Sequence, residues 1–223
     1  MIIAIDGPSG AGKSSVSKIV ARELGFSCLD TGAMYRAVAW LALKNNVDLE
    51  NSEALGKIAR ECEIAFEHEA GEPVPRKVFV DGIEITNDIR TAEIDKAVSP
   101  VSSAPSVREA LVLQQQRIGK NGNYVVEGRD IGTVVFPQAE VKVFLTASPE
   151  ERAHRRVRQN ADRCVGSVDY EEVLKDINRR DEHDSNREMS PLVKAEDAIL
   201  IDSTDHHIED VISKICDLAK EKM

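Results

Sequence analysis

"IIAIDGPSGAGKSSVSKIV", Ile2–Val20, is the stretch on which the fold turns. Ile2–Asp6 is almost wholly apolar and reads as a strand buried on both faces. A glycine-rich turn follows, and then Val16, Ile19, Val20 and Leu24 recur on one helical stripe that stops at Gly25. Between strand and helix, Gly7, Gly12, Lys13 and Ser14 fill the pattern G-x-x-x-x-G-K-[ST]. Glycines let successive backbone N–H groups turn toward phosphate oxygens, and the helix N-terminus adds partial positive charge. In that pattern the lysine bridges the β- and γ-phosphates and the Ser14 hydroxyl ligates Mg²⁺. The stretch predicts a nucleoside triphosphate site and leaves the second substrate open.

Further along, Ser27–Asp30, Tyr124–Glu127, Val141–Ala147 and Ala198–Asp202 are four more short strand candidates separated by helical patterns. Several are nearly all apolar, which predicts an α/β fold with a five-stranded parallel sheet covered by helices on both faces. Ile208, Val211, Ile212, Ile215, Leu218 and Ala219 form a last helical stripe belonging to the core. From about Glu63 to Arg90 the rhythm changes to short β segments, with Asp81-Gly82 as a hairpin turn between alternating runs. This predicts a small antiparallel insertion, read as a substrate-facing addition with a decorative loop as the alternative.

Composition narrows the partners. Against 29 Lys+Arg stand 39 Asp+Glu, a net charge of −10, which disfavours general binding to a nucleic-acid polymer. Yet eight of the sixteen arginines fall between Arg152 and Arg187, so positive charge is placed locally. Cys28, Cys62, Cys164 and Cys216 include no C-x-x-C pair. They read as buried or half-buried free thiols in a reducing compartment. No stretch approaches about 18 apolar residues, and no secretory leader is visible. The expectation is a cytoplasmic protein, monomeric by default, with no membrane partner. His68, His154, His183, His206 and His207 show no metal-like spacing and read as surface or satisfied histidines.

"DTGAMYR" (Asp30–Arg36) and "VVEGRDIGTVVFP" (Val125–Pro137) follow the second and third strand candidates. In an open parallel sheet, ligands bind beyond the carboxyl ends of the strands. Arg36 and Arg129 are thereby predicted to face one crevice from two directions, where paired guanidinium groups suit a monophosphate. Taken singly, either arginine could equally form a surface ion pair. Signal-transducing GTPases share the glycine loop but read guanine with N-K-x-D, which this sequence lacks. A nucleotide-dependent switch and another small-molecule kinase, such as one for shikimate, are the rival readings.

The motifs Gly7–Ser15, "LDTGAMYR", "IRT", "VREAL", "GRDIGTVVFP", "SPEERAHRR" and "RRDEHDSNR…PL" occur in that order. Together with the inserted sheet they resemble the bacterial-type cytidylate kinases, within the P-loop nucleoside monophosphate kinases. The likeness runs from Ile3 to about Ser203. It implies transfer of the γ-phosphate of ATP to CMP or dCMP with Mg²⁺, in one kinase domain spanning residues 1–223. The acceptor lobe would occupy about residues 36–103 and a short lid about residues 152–170.

Carried over by position, the resemblance implies that Arg36 and Arg129 hold the acceptor phosphate. Ser99, Arg108 and Asp130 would read cytosine, Arg180 and Asp184 would touch the ribose, and Thr31 and Arg187 would complete the acceptor pocket. Cytosine requires an acceptor for its amine and donors for N3 and O2, which Arg108 can supply. Lys13, Arg129, Asp130 and Arg180 form the implied catalytic set. ATP would lie on Gly7, Pro8, Ser9, Gly10, Ala11, Gly12, Lys13, Ser14 and Ser15, with Arg152 and Arg156 from the lid. Glu127 stands where some members of the family carry Asp.

The lid residues have a local reading too. Ser148, Pro149 and Glu151 make a capping box. Arg152 and Arg156 then share one helical face, which a solvated charge-laced helix would also explain. Asn160–Asp169 would be the tip, and a second helix from Asp169 to about Arg187 sets Arg180, Asp184 and Arg187 on one face.

Overall fold

In the computed structural model, which describes residues 1–69 and 71–223, five parallel strands form the central sheet. They are β1 (Ile2–Asp6), β2 (Ser27–Asp30), β6 (Tyr124–Gly128), β7 (Val141–Thr146) and β8 (Ile199–Asp202), in the order β2-β6-β1-β7-β8. Ile3 of β1 pairs with Val125 of β6 on one side and Val141 of β7 on the other. Alternation along a strand splits the sheet into two faces. Ile3 and Ile5 point into a core shared with α1 (Lys13–Leu24) and α8 (Ile208–Lys220), whereas Ala4 belongs to the core on the opposite side. The apolar stripes of those two helices pack there through Val16, Val20, Val211 and Ile215. Gly25 ends α1 in the left-handed region, its N–H directed to the Ala21 and Arg22 carbonyls.

The other face carries α2 (Thr31–Lys44), α3 (Ser52–Glu61), α4 (Ala92–Ser103) and α5 (Pro105–Gly119). Between α3 and α4 lies the antiparallel sheet of β3 (Ile64–Glu67), β4 (Lys77–Val80) and β5 (Ile83–Glu84). The hairpin forms at Asp81-Gly82 as the sequence predicts, with φ of 50° and 75°, both turn positions being left-handed as a type I′ turn requires. Ala70, within the expected β stretch, lies outside the described residues.

Two further helices form an antiparallel arm: α6 (Pro149–Arg163) and α7 (Tyr170–Asn186). Ser148 Oγ accepts from the Glu151 N–H at 3.2 Å, the expected cap, and Asp169 caps α7 through the Glu172 N–H at 2.8 Å. Ala153, Val173 and Ile177 give the arm its own small core, flanked by Val157, Tyr170 and Leu174.

One expectation about the cysteines needs correction. All four are free, and Cys28, Cys62 and Cys216 are buried, but Cys164 is exposed. It caps α6 with φ 52°, turned outward where the chain reverses toward α7. Among the described residues no helix is long and apolar enough to cross a membrane.

Candidate active site

The loops after β1, β2, β6, β7 and β8 all leave the same edge of the sheet, and a cavity of 1030 Å³ opens there. That is the upper end of the roughly 300–1,000 Å³ usual for a site holding one small ligand. Ser9–Val16 line one end of it. Arg36, Ser99, Arg108, Arg129, Asp130, Arg180, Asp184 and Arg187 line the other.

At the first end, Gly7 crosses tightly over β7. A Cβ there would sit 1.9 Å from the Leu145 carbonyl oxygen, with φ at +151°, so no other residue fits without displacing backbone. Gly7 and Pro8 lie beneath the loop rather than on the cavity wall. Lys13, only 7% exposed, donates to the Pro8 carbonyl at 2.8 Å. Burial, and then the neighbouring Arg129, push the Lys13 ammonium well below its usual value, while Glu127 and Asp6 oppose the shift. Glu127 is pushed the other way, chiefly by burial and next by Asp30. Its Oε1 is buried without a hydrogen-bond partner.

Asp6, at the end of β1, organises the far side of the cavity. Its two carboxylate oxygens accept from the Ile131 and Gly132 N–H groups, each at 2.7 Å. Those residues begin a wide turn over Ile131–Val135, directly after Arg129 and Asp130. Burial is the main reason that the Asp6 carboxyl is raised to about 6; the two amides pull it down and Asp130 adds to the rise.

At the second end the arginines are held by carboxylates and carbonyls. Arg108, 2% exposed, pairs with Asp130, donates to the Ser102 carbonyl at 3.0 Å and lies over the Tyr35 ring at 5.4 Å. Its Nε is buried with no partner, as is Nε of Arg187. Arg129 Nε bonds Asp184 at 2.9 Å, and Arg187 approaches the other oxygen of Asp184 at 3.8 Å. Arg36 pairs with Asp95 at 2.6 Å, and Arg180 donates to the Asp95 carbonyl at 2.9 Å. Thr31 is buried, its hydroxyl donating to the Glu127 carbonyl at 2.7 Å, so it joins β2 to β6. Ser99 lines the cavity from α4, its carbonyl accepting from Ser102 and Ser103. Arg180, Asp184 and Arg187 share the inward face of α7 and its end, as their spacing predicts.

Arg152 departs from expectation. It is 3% exposed and does not line the cavity. Instead Nε donates to Ala147 O at 2.9 Å, Nη1 donates to Ser9 O at 3.0 Å, and Nη2 pairs with Asp181 at 2.6 Å. The reason is the proximity of the glycine loop: a Cβ on Gly10 would lie 3.0 Å from the Arg152 Cβ. Arg156 does line the cavity, and so do Arg155, Arg158 and Arg163, which the sequence reading did not single out. Arg155 is anchored by Glu151 at 2.8 Å and by Ser203 Oγ at 2.9 Å, and it stands over Gly12. Only its place in "RAHRRVR", one residue before Arg156, signalled it. His206 and His207 are exposed at the rim of the same cavity.

The arrangement has the means to bring two anions together. Among the described residues no group of three His, Cys, Asp or Glu side chains could cage a metal ion. The Ser14 hydroxyl and the Glu127 carboxylate, one of whose oxygens is buried without a partner, do fit a hydrated divalent cation carried by phosphates.

Comparison with known proteins agrees with this geometry. The sequence model of the family described as cytidylate kinase matches residues 3–221. A cytidylate kinase of Desulfitobacterium hafniense (strain Y51) is 47% identical over 222 residues, 99% of this chain and 93% of that protein. That of Enterococcus faecalis (strain ATCC 700802 / V583) is 48% identical over 221 residues, 99% of this chain and 96% of that protein. An uncharacterized protein from Eubacterium ventriosum ATCC 27560 shares the fold, with TM-score 0.52 at 12% identity over 99% of this chain and 98% of its own. With a phosphate loop and an arginine-lined pocket at one sheet edge, and near half of all residues shared end to end, this chain belongs to the cytidylate kinase family.

Proposed function

We propose that this chain transfers the γ-phosphate of ATP to CMP or dCMP, giving ADP and CDP or dCDP. The observation that carries the reading is the single cavity running from the glycine loop to Arg36, Arg129 and Arg180. ATP phosphates lie along Ser9–Ser15, and the acceptor phosphate lies between Arg36 and Arg129. Ser99, Arg108 and Asp130 read cytosine, while Asp184 and Arg180 meet the ribose. The buried Arg108–Asp130 pair presents a donor and an acceptor at fixed positions, so uracil, with one demand reversed, leaves a buried group unpaired.

Transfer is direct and in line, with catalysis supplied by positioning and charge neutralisation. Burial holds the Lys13 ammonium below its usual value, and the polyphosphate offsets that cost by favouring the charged form, which follows the migrating charge. Arg129 neutralises the acceptor, and Arg155 and Arg156 approach the donor from the arm. The Ser14 hydroxyl, with the Glu127 carboxylate behind it, would hold a Mg²⁺ carried in by the phosphates, and that ion would supply further charge neutralisation. Thr31 keeps the floor of the pocket in place through Glu127 O. The kinase unit spans residues 1–223, with an acceptor lobe at about 36–103 and a lid at about 152–170 whose closure excludes water. Four free thiols support a cytoplasmic setting.

The test is ADP release with purified protein, ATP and Mg²⁺ across a panel of acceptors. Turnover with CMP and dCMP, and little with UMP, AMP, GMP or shikimate, is the expected outcome. Acceptor-independent hydrolysis, or preference for another acceptor, overturns the reading.

A further inference from the structure

Asp95 takes no part in the proposed transfer, yet its carboxylate lies among the acceptor-side arginines. It sits in the first turn of α4, with 28% of its side chain exposed, and lines the cavity. Its Oδ1 lies 2.6 Å from Arg36 Nη2, and its carbonyl accepts from Arg180 Nη2 at 2.9 Å. Arg36 has one further anchor, the Ile89 carbonyl at 3.2 Å. Burial alone would raise the Asp95 carboxyl, but Arg36 first, then Arg156 and Arg180, outweigh it and hold the group below the usual carboxylate range. One carboxylate thus faces three guanidinium groups from α2, α6 and α7.

The geometry points to Asp95 as an internal stand-in for the acceptor phosphate, paired with Arg36 in the empty enzyme and displaced from it when a nucleoside monophosphate binds. The inference rests on Arg36 gripping that phosphate. Physically, an arginine cluster without an anion repels itself, and a tethered carboxylate removes that repulsion before substrate arrives. The same carboxylate then competes with the incoming phosphate for Arg36, and any of its charge left nearby repels the dianion. Asp95 is therefore a positioning residue that sets acceptor affinity and leaves the chemical step alone. It also favours a doubly charged phosphate over weaker anions, because only a stronger partner displaces it from the guanidinium.

Asp95→Asn keeps the shape and removes the charge. The expected result is a fall of about fivefold in KM for CMP, the size of one partly exposed ion pair. The kcat and the KM for ATP should stay within about twofold, and inorganic phosphate should become a stronger inhibitor competitive with CMP. Glu93→Gln removes an exposed carboxylate from the same helix turn, and so controls for the helix dipole; it should leave all three values unchanged. Asp95→Ser provides a second, smaller replacement with the same expected direction. A rise or no change in KM for CMP with Asp95→Asn and Asp95→Ser, both folded by circular dichroism, overturns the proposal. Arg36→Met separates the two layers. If it too leaves KM for CMP unchanged, the assignment of Arg36 to the acceptor phosphate fails; if it raises KM at least tenfold while Asp95→Asn does nothing, only the stand-in role fails.

Discussion

Replacing Arg152 with methionine removes three contacts at once while keeping most of the buried stem. The Ala147 and Ser9 carbonyls lose their donors, and Asp181 loses the guanidinium 2.6 Å away. Asp181 has 23% of its side chain exposed, and its Oδ1 already has no partner. Breaking one side of a buried pair leaves an uncompensated charge, which costs about 3 kcal/mol, partly relieved here by solvent reaching Asp181. That is a large share of the roughly 5–15 kcal/mol that holds a domain folded. At about 2–4 °C per kcal/mol for a chain of this size, Tm should fall by roughly 6–12 °C. Asp181→Asn added to Arg152→Met removes the stranded charge and should restore about half of the loss, a coupling that a double-mutant cycle measures. The paired assay is thermal unfolding by circular dichroism beside KM for ATP. Loop geometry is affected only through Ser9 O, so KM should rise by less than about fivefold. An Arg152→Met protein with unchanged Tm and KM for ATP raised tens of fold would show that Arg152 grips the nucleotide, and the structural account would be wrong.

Other perturbations address the remaining parts of the site. Gly7→Ala places a methyl group 1.9 Å from the Leu145 carbonyl; urea unfolding should show a loss of at least about 3 kcal/mol, and near wild-type stability would contradict the close approach. Asp6 has its carboxyl raised from 3.8 to about 6, so the folded state holds that proton more tightly than the unfolded chain. Its contribution is complete below about pH 4 and gone above about pH 6, a change of about 3 kcal/mol. Asp6→Asn should lack this component, and a wild-type-minus-mutant stability difference that stays flat from pH 4 to 6.5 argues against it. Asp184→Ala frees Arg129 and Arg187 and should raise KM for CMP at least tenfold with KM for ATP within twofold, by initial-rate kinetics; equal effects place Asp184 outside the acceptor pocket. Lys13→Ala should remove nearly all turnover while CMP binding by calorimetry persists, and unchanged turnover refutes its role.

What the sequence revealed here was mostly local. The glycine loop, the Asp81-Gly82 hairpin and the cap at Ser148 each depend on neighbours within a few residues, and each formed where its pattern lies. The convergence of Arg36, Arg129, Arg180, Asp184 and Arg187 was legible because a parallel sheet sends the loops after its strands to one edge. Arg152 was misplaced because a shared helical face with Arg156 says nothing of how deep each side chain lies; its partners, Ser9 and Asp181, are 143 and 29 positions away. Asp95 and Asp6 escaped notice for the same reason. Each is an ordinary acid in sequence, and acquires meaning only beside Arg36 or the Ile131 and Gly132 amides.

The small antiparallel sheet is not an appendage hung on a finished body. Val78, Val80, Ile85 and Ile89 from its strands and the turns beside them sit in the same uninterrupted core as Ala4 and Val126 of the central strands, whereas α1 and α8 are packed against the reverse side. A lineage altering which monophosphate it accepts must therefore recut one side of the sheet in step with the pocket, while the side beneath the triphosphate can be inherited untouched.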